Sequence, residues 1–145
     1  MLRAWALILC TLLASCGSMR KLRDKASIAE TATIRLFAKI DESDADAIHL
    51  MFDANLRLSH PIEKVRTIFG KIHEEAGICD TPRTQNWSAA TGLGAALVTL
   101  VATARCEKQT VAARLVWTIL GDQPVLTSFS FSSHLGSSEF DAKSR

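Results

Sequence analysis

The sequence predicts an α+β domain in which N-terminal helices pack on a curved antiparallel sheet of about four strands. Two observations carry this. Apolar residues recur at helical spacing from Lys25 to Ile72, and after Pro82 they give way to Val-, Leu-, Thr- and Ala-rich stretches separated by short turns. Helices first and strands second imply segregated layers, not alternating βαβ units. The chain has 145 residues, with 17 Lys+Arg against 15 Asp+Glu and a formal net charge of +2. That length suits one domain, and the charge is too small to point to nucleic acid. Three Pro and seven Gly are too few for a low-complexity chain.

The first helix of the domain is read from Ile28, Ala29, Ala32, Leu36, Phe37 and Ile40, one face of four turns. Either Asp24 or Ser27 serves as its cap. The acidic run Asp41 to Asp46 interrupts the pattern. Ser43 followed by Asp46 reads as a capping box for a second helix carrying Ile48, Met51, Phe52 and Leu56. Pro61 suits the first turn of a third, lined by Val65, Ile68, Phe69 and Ile72 and stopped by Gly77. Arg83 to Ala89 is a first strand around Trp87, and Thr91 to Gly94 a loop. Ala96–Cys106 and Val111–Leu120 form a long hairpin. Val125–Ser132 is the last strand, expected to place Thr127, Phe129 and Phe131 on one face and Leu126, Ser128 and Ser130 on the other. Residues 134–145 read as a flexible polar tail.

The N-terminus carries an address. Arg3 precedes an apolar run from Ala4 to Leu13. Ten helical residues span about 15 Å, half of a hydrocarbon core, so this is an export signal and not a membrane span. Leu13-Ala-Ser15-Cys16 resembles the lipobox of bacterial lipoproteins: an aliphatic residue, two small ones, then the cysteine whose thiol takes the lipid. The resemblance implies cleavage between Ser15 and Cys16 and acylation of Cys16. Residues 1–15 are then the signal peptide and 16–25 a lipidated tether. Gly17 stands where an Asp marks inner-membrane retention, which implies a lipid-anchored place in the bacterial cell envelope, at the outer membrane facing the periplasm. Arg20, Lys21, Arg23 and Lys25 follow the anchor. Near an anionic surface each adds about 1 kcal/mol of attraction; a merely solvated tether is the alternative.

Cys10 leaves with the signal and Cys16 takes lipid, so Cys79 and Cys106 remain. One pair in an exported chain implies a disulfide, with two separate buried thiols as the alternative. Neither has a CxxC partner or a nearby His, so a metal is not expected.

Leu36-Phe-Ala-Lys-Ile-Asp-Glu-Ser-Asp-Ala45, Ser59-His-Pro-Ile-Glu-Lys-Val65, and the hairpin Leu97–Leu120 with Trp117, Gly121-Asp-Gln and Leu126 resemble small periplasmic members of the nuclear transport factor 2-like, or cystatin-like, fold. The resemblance spans residues 26–133 and implies a cone-shaped α+β domain. It implies little about chemistry. Some relatives use a pocket between helix and sheet for acid–base work, usually with a Tyr or a second acid. This chain has no Tyr.

No constellation names a catalyst. Asp41, Glu42, Asp44 and Asp46 gather at a helix start, where they interact favourably with its dipole and stay solvated; a calcium loop would need a glycine that is missing. His49, His60, His73 and His134 share no i, i+4 relation, so no helical zinc site is expected. No Gly-x-Ser-x-Gly elbow supports a serine triad. Thr91 to Ala96 lacks the third glycine of a dinucleotide loop. No cofactor is expected. If a pocket exists, Arg105, Arg114, Trp87 and Trp117 are its candidates, offering guanidinium and indole groups to an anionic ligand. The alternative puts the arginines on the solvent face and Trp117 in the core. The sequence therefore predicts a membrane-anchored periplasmic lipoprotein with a non-catalytic binding or structural domain, whose partners are the membrane through Cys16 and an envelope protein or a second copy. Its alternative is a small-ligand binder or acid–base enzyme using the cone.

Overall fold

In a computed structural model, the backbone is described for residues 2–133 and 140–142, and side chains for residues 17–133. Helix α1 runs unbroken over Leu2–Asp41. The segment read as a tether continues it, since Arg20, Lys21, Leu22 and Arg23 are good helix formers with no proline among them. From Ala26 onward one stripe is buried: Ala26, Ala29, Ala32, Thr33, Leu36, Phe37 and Ile40. The alanines at its start let the helix lie close to the sheet, because interaxial spacing follows side-chain size.

Ser43 does not cap the second helix. It takes a left-handed conformation, φ 56°, and closes the end of α1. The reversal needs one such residue and no glycine is at hand. Asp44 becomes the cap of α2 (Ala45–Leu50), its carboxylate accepting from the Ala47 N–H at 3.0 Å. The predicted second helix is in fact two. Phe52 forms a bridge to Leu126, with the Asp53 N–H donating to the Leu126 carbonyl at 2.9 Å and the Leu126 N–H to the Met51 carbonyl at 2.7 Å. Asp53 then caps α3 (Ala54–Ser59), accepting from the Leu56 N–H at 2.7 Å. Pro61 precedes α4 (Ile62–Ala76), which buries Val65, Phe69, Ile72 and Ala76. Gly77 ends it at φ 76°, ψ −164°, a region open essentially to glycine alone. A Cβ there would meet Glu107 Oε2 at 2.5 Å.

The sheet is an antiparallel meander of four long strands, β1 (Arg83–Gly92), β2 (Ala95–Arg105), β3 (Thr110–Leu120) and β4 (Gln123–Ser133). A short β5 (Phe140–Ala142) pairs with β4 within the stretch read as a tail. The helices cover one face, giving the α+β layering that the sequence predicts. On that face β2 and β3 place Val98, Leu100, Leu115 and Trp117, none with any exposure. Strict alternation fails once in β4. Val116 pairs with Ser128 but Trp117 pairs with Leu126, so Thr127 is an extra residue. Its hydroxyl donates to the Val116 carbonyl at 2.9 Å. The bulge turns Leu126 inward to join Phe129 and Phe131, correcting the face expected for it.

Candidate functional site

Among the described residues the space between helices and sheet is packed with side chains. Trp117 sits beneath α1, and its indole Nε1–H donates to Thr33 Oγ1 at 3.0 Å. Thr33 in turn donates to the Ala29 carbonyl at 2.9 Å. A buried indole needs such an acceptor, and the hydroxyl supplies it inside an otherwise apolar stripe. Beyond it, Phe52, Phe69, Phe129 and Phe131 pack with ring centroids 5.1–6.3 Å apart. At the rim between α4 and the sheet, Ile72, Val111 and Phe131 line a gap of about 10 Å³. A small-molecule site needs roughly 300 Å³ or more.

His60 is drawn into this aromatic group. It is 3% exposed, its ring lies edge-on to Phe52 and Phe129, and Nδ1 is 2.9 Å from Ser59 Oγ. Burial, with the Lys64 ammonium behind it, holds its pKa below the ordinary value. No local pattern signals this, because His60 sits beside a proline in a turn.

The four pocket candidates are not brought together. Trp117 and Trp87 are on the helix side, Trp117 fully buried and Trp87 half-buried near the β1 edge. Arg105 and Arg114 are exposed and stand on the outer face, opposite Thr110 on β3 and Val101 on β2 respectively. The expected pairing of guanidinium with indole therefore does not form, since residues of opposite parity on one strand face opposite ways. Arg105 instead joins Arg83, Gln85, Thr103 and Thr110 around an open depression of about 720 Å³, with Asp80 on its border. Gln85, an extra residue in β1, donates to Thr103 Oγ1 at 2.9 Å. Two guanidinium groups beside hydroxyls offer donors to an anion, and Asp80 opposes them.

Cys79 and Cys106 lie at bonding distance as a disulfide. They face each other as a bridge flanked by Asp80 N–H to Arg105 carbonyl and Glu107 N–H to Ile78 carbonyl, the arrangement in which facing side chains are closest. Asp41, at the end of α1, accepts from the Cys79 N–H at 3.2 Å. Burial pushes the Asp41 carboxyl up despite that donor. The other members of the acidic run stay near solvent: Glu42 pairs with Lys39 at 2.6 Å, and Asp46 faces Arg66 at 3.5 Å.

Ser15, Cys16 and His134 lie outside the residues whose side chains are described. Among the described residues no helix is long and apolar enough to cross a membrane, and no three His, Cys, Asp or Glu side chains converge as metal ligands. Comparison with family models, curated proteins and solved structures finds no match.

Proposed function

We propose that this protein is a lipid-anchored envelope lipoprotein, held by Cys16 at the outer membrane facing the periplasm. Its domain acts by binding a protein partner or as a structural module, not by catalysis in the cone. The observation that carries the second half is the filled interior. Trp117, locked to Thr33, and the Phe52–Phe69–Phe129–Phe131 group occupy the volume where a ligand would sit. Exposed groups are left for recognition on the outer sheet face, where Leu97, Val101 and Arg114 stand on adjacent long strands. The first half is supported by the lipobox residues Leu13 to Cys16 and by α1, which leads from them directly into the domain.

The test is metabolic labelling with palmitate followed by fractionation. The wild-type chain is expected to carry label and to sediment with membranes, while Cys16→Ala loses both. Membrane association that survives Cys16→Ala would overturn the anchor. Crosslinking in intact envelopes is expected to capture a partner through the outer face, and Arg114→Glu to weaken that capture several-fold. An undiminished yield from the variant would remove that face from the interaction.

A further inference from the structure

One end of the sheet exposes apolar side chains at a cost to the fold. The β1–β2 connection is the two-residue turn Leu93-Gly94, with φ 50° and 79°. Such hairpin turns require left-handed backbone at both positions, and Asn-Gly or Gly-Gly satisfy it best. Leucine is disfavoured there. Leu93 is nevertheless at the tip, with a relative exposure of 110%, so its side chain gains no packing in return. Beside it Leu97 is 48% exposed and Leu120 is 53% exposed. Leu120 lies opposite Ala95, and Leu97 one side-chain pair further along on the same outer face. Nothing within the domain explains three exposed leucines at one end.

The same end receives α1. Lys25 Nζ bonds the Gly121 carbonyl in the β3–β4 turn and pairs with Asp122 at 3.1 Å. At its other end α1 reaches Cys79 through Asp41. The helix thus runs from the leucine tip to the disulfide, and its upstream extension leads away from the tip toward Cys16. Lys25 lies nine helical steps beyond Cys16, about 13.5 Å. Within that stretch Arg20, Lys21 and Arg23 are exposed, Met19 is 71% exposed, and Asp24 is the sole acid. Asp122 is already neutralised by Lys25.

We propose that the leucine tip and the basic turns of α1 rest together on the anionic lipid surface in which Cys16 is anchored. The docking depends on the anchor proposed above and adds an orientation to it. A vertical α1 would hold the tip clear of the headgroups; leaning α1 toward the β1–β2 hairpin brings Leu93 into them and sets Arg20, Lys21 and Arg23 against lipid phosphates.

The experiment uses the acylated chain, purified from membranes and reconstituted in phosphatidylethanolamine vesicles with or without 30% phosphatidylglycerol, some made with brominated acyl chains. In Leu93→Trp the introduced indole is expected to be quenched by bromolipid at least two-fold more than the native tryptophans, more strongly with phosphatidylglycerol, and less at 0.5 M salt. Leu93→Asn is expected to raise the melting temperature, because the turn is relieved. It should also abolish the vesicle-dependent slowing of hydrogen exchange over residues 90–97 that is expected of the wild type. An unquenched indole on labelled, membrane-bound protein overturns the docking alone; a product without lipid overturns the anchor and the docking together. Quenching indifferent to phosphatidylglycerol and salt refutes the basic contribution. Burial of the indole that follows protein concentration and not lipid assigns the tip to a second copy and refutes the proposal.

Discussion

Replacing Thr33 by Val tests the hydrogen bond that the Trp117 indole makes to it. Valine keeps the branched shape, and its helix propensity is close to that of threonine. What is lost is the acceptor for Trp117 Nε1, 3.0 Å away, together with the hydroxyl's own donation to the Ala29 carbonyl, a loss common to both backgrounds of the cycle below. Thr33 is 2% exposed and Trp117 has no exposure, so water cannot replace the hydroxyl without opening the core. A buried donor left unpaired costs about 1–3 kcal/mol. For a domain of this size that lowers the melting temperature by roughly 4–12 °C. Urea unfolding followed by circular dichroism at fixed temperature reads the energy directly. The decisive comparison repeats Thr33→Val in Trp117→Phe, where no indole N–H remains. There the same change should cost less than about 0.5 kcal/mol, and the cycle subtracts whatever the smaller ring costs on its own. An equal cost in both backgrounds would refute the assignment and place the effect in packing alone.

Two further outcomes follow from the same chemistry. The oxidised chain should weigh two hydrogens less than its reduced form. Reduction of Cys79–Cys106, which closes a sequence separation of 27, should cost about 3.5 kcal/mol on the loop-entropy account; free thiols in protein isolated without reductant, or an unchanged urea midpoint on reduction, would contradict this. His60, held below its ordinary pKa of 6.5 by burial and Lys64, binds its proton more tightly when the chain is unfolded. The contribution of His60 to stability is therefore complete above about pH 6.5 and declines as the pH falls below it. His60→Gln should flatten that decline between pH 6.5 and 5, and identical slopes in the two proteins would rule out His60 as its source.

The layering of helices on sheet was legible because local periodicity records which side of each element is apolar. Val65, Phe69 and Ile72 at helical spacing marked α4, and Gly77 marked its end. Where two local options competed, tertiary contacts chose. Nothing near Phe52 forbids a continuous helix; the bridge to Leu126, 74 positions away, splits α2 from α3. Nothing near Thr127 announces a bulge; the need to bury Leu126 beside Phe129 makes one. The site was less legible than the fold. Arg105, Arg114, Trp87 and Trp117 share one sheet, but strand parity divides them between faces, and that parity is fixed by register.

The sequence by itself determined the order of helices and strands, and it narrowed the candidates for a disulfide to Cys79 and Cys106. Each is a property of neighbouring residues or of simple counting. Only the tertiary structure decided that Thr33 answers Trp117 and that His60 is enclosed by aromatic rings. It alone placed Leu93, Leu97 and Leu120 at the end of the sheet that receives α1. The reason is that burial and charge environment depend on which distant segments share a location, and no local pattern encodes that distance.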